Sequence, residues 1–175
     1  MTTDAAVAAK PSSCPDADRV EVTRLADQLE RSFRGGAWHG PSVSEALDGV
    51  DAALAARRVV PGAHTIAELA GHIAFWIGES SRRIAGAPSA SVSDEQNFPS
   101  RGAGDEAAWR RTLGELEAAH RRLHTTVLAH TDDRLDAAVA GSDPTMRGLL
   151  LGLVQHNAYH AGQIVLVRKA AETSS

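Results

Sequence analysis

"LVQHNAYHAGQI", residues 153–164, sets two histidines four positions apart in an otherwise apolar segment. The apolar positions around it continue the same rhythm. Met146, Leu149, Leu150, Leu153, His156, His160, Ile164 and Val167 fall at spacings of three and four, which predicts one face of a long helix from about Thr145 to Lys169. A long helix with a single apolar face needs other helices to cover it, so the rest of the chain is read for partners.

Three further segments carry the same period. Val22, Leu25, Ala26, Leu29 and Phe33 follow a candidate cap at Asp18 and predict an amphipathic helix of about 15 residues, ended by "RGGAWHGPSV". Thr65 and Glu68 have capping-box spacing, and Ile66, Leu69, Ile73, Trp76, Ile77, Ser80 and Ile84 then step along a helix that stops near Gly86. From Asp105, the residues Trp109, Leu113, Leu116, His120, Leu123 and Val127 form a third seam, ending near His130. Between the first two lie a short helix at 42–50 with Pro41 near its start, and "RRVVPGAH", an extended stretch with a Pro-Gly turn that takes in His64.

Residues 87–104, "APSASVSDEQNFPSRGAG", form a long connection rich in Pro, Gly and Ser, of the kind that crosses a bundle or covers a site, with Phe98 as its anchor. No strand alternation and no repeat of 20–50 residues breaks the pattern. Four main helices with one long crossover, between the second and the third, predict an all-α four-helix bundle. We expect a disordered tail at 1–18, one domain at 19–170 and a short tail at 171–175.

Composition narrows the function classes. At 175 residues, 43% hydrophobic and 23% charged, the chain suits one soluble domain with a real core. No apolar run approaches the roughly 18–20 residues of a membrane span, and residues 1–18 lack the basic start and apolar stretch of a secretory signal, so a cytoplasmic location is expected. The net charge is −4, and the pairs Arg57-Arg58, Arg82-Arg83, Arg110-Arg111 and Arg121-Arg122 are dispersed and read as solvated helix faces. Nucleic-acid binding, which needs a concentrated positive face, is disfavoured. Cys14, between Ser13 and Pro15 in the tail, reads as a solvated thiol rather than a nucleophile.

Four residues along a helix is about 6 Å of rise and little more than one turn, so His156 and His160 share a face with Cβ atoms roughly 5–6 Å apart. Two such imidazoles can share one metal ion. The spacing is that of the H-E-x-x-H zinc enzymes, but H-N-A-Y-H lacks their glutamate, so that catalytic part is missing. The best third ligand is His72, on the inner face that carries Leu69 and Trp76. Three neutral imidazoles with an open fourth position match a catalytic rather than a structural zinc site, and imidazole equally suits nickel, copper or iron. Hydrogen-bonded core packing is the competing reading, and spacing alone leaves both open.

The other histidines are placed elsewhere. Glu117 and His120 make one E-x-x-H, whereas a di-iron bundle needs two with two further carboxylates, so His120 is read as packing or as support behind a ligand. His124 and His130 read as surface or helix-end residues and His39 as part of a loop. Trp76 lies one turn after His72, and either walls a substrate pocket or fills the core. Glu68, Glu79 and Gln163 lie on neighbouring faces, and the sequence does not choose among them as supports for a ligand.

"TIAELAGHIAFW" (65–76), then "QNFP" (96–99), then "HNAYHAGQI" (156–164) together resemble the DinB-like superfamily of bacterial four-helix-bundle proteins, over about residues 20–169. Within "YHAGQI", Gly162 is expected to allow close helix approach and Gln163 to bond within the bundle. The resemblance implies an up-down-down-up bundle and a divalent metal site carried onto His72, His156 and His160, with water or a substrate group in the open position. It also implies a homodimer. Relatives include S-transferases and isomerases that use low-molecular-weight thiols, and others described as metal-dependent hydrolases. A small-molecule substrate follows, with an external thiol for the transferase version, since this chain has one cysteine. A non-catalytic metal- or ligand-binding bundle is the reading from a different class.

Overall fold

The computed structural model describes residues 17–100, 104–140 and 144–173; Cys14 and the expectations for the N-terminal tail before residue 17 lie outside them. Among the described residues seven α-helices run in the order α1 (Val20–Arg34), α2 (Val43–Leu47), α3 (Ala52–Ala56), α4 (Ile66–Ile84), α5 (Asp94–Asn97), α6 (Glu106–Leu128) and α7 (Met146–Thr173). The long ones, α1, α4, α6 and α7, are the four main helices read from the sequence. Their apolar faces meet in one core, in which Leu29, Phe33, Ile73, Ile77, Leu123, Leu150 and Ile164 are fully buried. No helix among the described residues is long and apolar enough to cross a membrane.

Side-chain contacts fix the helix directions. Glu30 of α1 bonds His120 of α6, and Arg34 of α1 pairs with Glu117 one turn earlier on α6, so these two run antiparallel. Ser32 meets Asn157, while Arg147 near the start of α7 lies beside Glu21 near the start of α1, so α1 and α7 are parallel. Ala67 of α4 sits with Trp109 of α6 and Ser81 bonds Thr126, which makes α4 and α6 parallel as well. The order is up-down-down-up, as the resemblance implies. Two parallel neighbours in succession require the chain to return along the bundle, and the connection after α4 does so.

Local signals account for most helix starts. The Thr65–Glu68 capping box on α4 is present, with both reciprocal bonds made. Asp105 accepts from the backbone N–H groups of Ala107 and Ala108 at the start of α6. Ser42 with Glu45 boxes α2 in the same way.

Three readings are corrected and one element is added. Asp18 does not cap α1, because residues 17–19 form a 3-10 turn and the N–H groups of Glu21 and Val22 donate instead to the carboxylate of Asp132. Residues 52–56, to which the sequence reading assigned no element, form α3 with Asp51 as its cap. Gly162 lies on the outer side of α7, where an added Cβ would meet nothing within 4 Å, so it serves no close approach inside the chain. Arg83 is no solvated residue: it pairs with Glu79, both side chains nearly covered, and lies over the Trp76 ring at 5.8 Å.

Candidate metal centre

The centre is built where α4 and α7 pass antiparallel to one another. The capping box fixes the start of α4, so His72, in its second turn, points inward beside Leu69 and Ile73. The 3.6-residue period of α7 brings His156 and His160 to the same place from the other side. One ligand atom from each of the three imidazoles lies within 4.8 Å of the other two, and among the described residues no carboxylate or thiol joins this group. His72 and His160 are each 6% exposed, which shields the site from solvent on two sides.

Hydrogen bonds assign the ring nitrogens. His72 Nδ1 lies 2.6 Å from the backbone carbonyl of Asn97; a carbonyl only accepts, so Nδ1 carries the proton and Nε2 a free lone pair. His160 Nδ1 lies 2.6 Å from Gln163 Oε1, which likewise leaves its Nε2 free, and the Gln163 amide donates onward to the Tyr159 hydroxyl at 3.2 Å. His72 Nε2 faces His156 Nε2 at 3.0 Å. Two bare lone pairs would repel at that distance, so either a proton on His156 or a cation shared by both nitrogens must intervene. His156 Nδ1 is buried with no hydrogen-bond partner. That atom faces away from the other two rings, and it is the convergence of the three imidazoles, with the Nε2 lone pairs of His72 and His160 left free, that suits a cation.

Burial also sets the charge state. Desolvation, with His160 and His72 close by, pushes the His156 imidazole down to about 3. Desolvation pushes His160 down to about 4 against the opposing bond to Gln163, and lowers His72 against the opposing carbonyl of Asn97. The rings are therefore neutral at pH 7, the form that ligates metal. Three neutral nitrogen donors held by acceptors behind two of them fit a divalent ion of borderline softness.

A family model of the DinB superfamily matches residues 37–164, a span that contains all three histidines. The chain belongs to the DinB superfamily. No curated protein and no solved structure matches it.

In this DinB chain the candidates left open by the sequence are now sorted. Gln163 supports His160, whereas Glu68 is spent on the α4 cap and on Arg58, and Glu79 on Arg82 and Arg83. Trp76 is half-buried and its indole Nε1–H donates to Asn97 Oδ1 at 2.9 Å, with its ring edge-on to His72 at 6.4 Å. His120 is packing: its ring stacks on Phe33 at 3.9 Å and its Nε2 bonds Glu30, while Glu117 pairs with Arg34. Phe98 is the anchor expected, stacked on His72 at 4.1 Å with His64 on its outer face at 3.6 Å. The residue that sequence reasoning missed is Asn97. Its signal was the S-x-x-Q box of Ser93 and Gln96, which forms α5 and stops the chain there in a fixed turn.

Proposed function

We propose that the chain is a metal-dependent enzyme that holds one divalent ion, zinc as the first choice and nickel as the alternative, on His72, His156 and His160, and transfers a low-molecular-weight thiol to a small electrophile. The observation that carries this reading is the neutrality of the donor set. Three uncharged ligands in a site with no carboxylate leave the ion's double charge uncompensated, so the remaining position favours an anion. When bound, the ion supplies Lewis acidity that lowers the pKa of a thiol or water beside it. The chain's own part is to hold the imidazoles neutral, to fix their rings through Asn97 and Gln163, and to keep solvent from two of them. Trp76, next to His72, walls the substrate side. The cytoplasm, where such thiols stay reduced, is the compartment that fits.

Hydrolysis is the second reading, favoured by the same open position, which takes water as readily as a thiol. Elemental analysis of untagged protein beside His72→Ala and His160→Ala tests the site: about one zinc or nickel per chain is expected in the parent from the single three-ligand set, and none in either variant. Metal-loaded protein should then consume electrophiles only when thiol is added. Turnover of esters or amides without thiol moves the reading to a hydrolase, and a metal that raises melting temperature without any turnover moves it to a non-catalytic binding bundle.

A further inference from the structure

We infer that Asn97 is the positioning residue of the metal centre, holding His72 in the one tautomer and ring orientation that offers Nε2 inward. The inference rests on the three-histidine metal reading above. Asn97 grips α4 at two points. Its backbone carbonyl accepts from His72 Nδ1 at 2.6 Å, and its side-chain Oδ1 accepts from Trp76 Nε1 at 2.9 Å. His72 and Trp76 are four apart on α4, so their ring N–H groups stand one above the other and a single residue can meet both. The second bond fixes the rotation of Asn97, and with it the direction of the carbonyl that meets His72.

The turn that carries Asn97 is itself held. Ser93 and Gln96 close a capping box, and Phe98 N–H donates to the carbonyl of Asp94 at 2.8 Å. Phe98 then lies flat on His72, within 5° of parallel, and His64 lies equally flat on Phe98. The His72 ring is thus pinned at its edge by Asn97 and on its face by Phe98. A ligand imidazole usually needs such a partner behind it, and loss of the partner typically weakens metal binding about 10- to 100-fold. The consequence concerns the turn at 93–98: lifting it would take away the partner behind His72, so metal affinity and the seating of this turn are coupled.

Asn97→Ala removes the acceptor for Trp76 and leaves the carbonyl without its anchor; Asn97→Asp keeps an acceptor in place. Zinc affinity by chelator competition is the first readout, and nitrogen-15 imidazole spectra of the metal-free protein are the second. We expect zinc binding about 10-fold weaker in Asn97→Ala, and His72 passing from a single Nδ1–H tautomer to a mixture, with Asn97→Asp restoring the single tautomer. If Asn97→Ala fails to fold, Trp76→Phe deletes the same hydrogen bond from the other end and should shift both readouts in the same direction. Parent-like affinity with an unchanged tautomer, in whichever variant folds, overturns the inference. Should the parent bind no zinc, the metal reading falls, while the tautomer readout still decides whether Asn97 positions His72.

Discussion

Protonating a buried imidazole means bringing a charge into the core, so the three histidines link stability to pH. The His156 and His160 rings ionise near 3 and 4 in the folded chain, against 6.5 for a free imidazole. Between those values the unfolded chain binds protons that the folded chain does not, and the linkage relation then makes stability rise with pH. Metal-free protein should therefore lose stability as pH falls from about 6.5 towards 4, by up to about 1.4 kcal/mol per unit for each fully shifted ring. Above 6.5 these groups contribute no slope. Urea titrations at pH 7 and pH 5 measure the effect, and a His156→Leu, His160→Leu double variant should flatten it. Equal midpoints in the parent at both values would contradict the burial argument. This residue-scale behaviour was partly legible: the inward positions of the histidines followed from helical spacing, but the unpartnered Nδ1 of His156 and the bonds behind the other two rings depend on what faces them across the bundle.

At the scale of elements, what the sequence disclosed and what it hid divide by distance along the chain. The Thr65–Glu68 box spans four residues and was readable as a motif; replacing Thr65 by Ala should cost about 1 kcal/mol of stability, a typical loss for a capping hydroxyl, measured by chemical denaturation. The cap of α1 was not readable, because Asp132 comes from 110 residues away to meet Val22. Desolvation, the largest single influence, pushes its carboxyl up, but the backbone N–H groups at the start of α1 and the nearby Arg147 together hold it below the usual range, so it is ionised and complements the positive end of the helix. Removing it in Asp132→Ala should leave α4 protected in amide exchange while the first turn of α1 exchanges faster, and uniform protection would show that the cap is redundant. Helix α3 escaped notice for a different reason. Five residues, four of them Ala, are too few to display a period, and only its Asp51 cap marks it.

For the whole molecule, the long connection announced a crossover before any contact was known, and the parallel pair α4 and α6 is its structural expression. The unassigned surface is the outer side of α7. Leu151, Tyr159 and Leu166 stand 43%, 64% and 67% exposed there, and no residue from Gly148 to Val167 is Asp, Glu, Lys or Arg. In a two-fold dimer each patch meets its own copy, so an uncharged strip avoids the like-charge opposition that a charged one would create, and the small Gly162 lets the two helices approach. The homodimer that the family resemblance implies would form through α7 on this argument. Because His160 bonds Gln163 and Gln163 bonds Tyr159, such a dimer would rest on the same side chains that hold a candidate metal ligand. Sedimentation velocity at micromolar concentration should give a dimer for the parent and a monomer for Leu166→Glu, which puts two carboxylates into a desolvated contact and should weaken association by several kcal/mol. A parent that sediments as a monomer across that range would show instead that the apolar strip is simply exposed, and would leave each metal centre complete within its own chain.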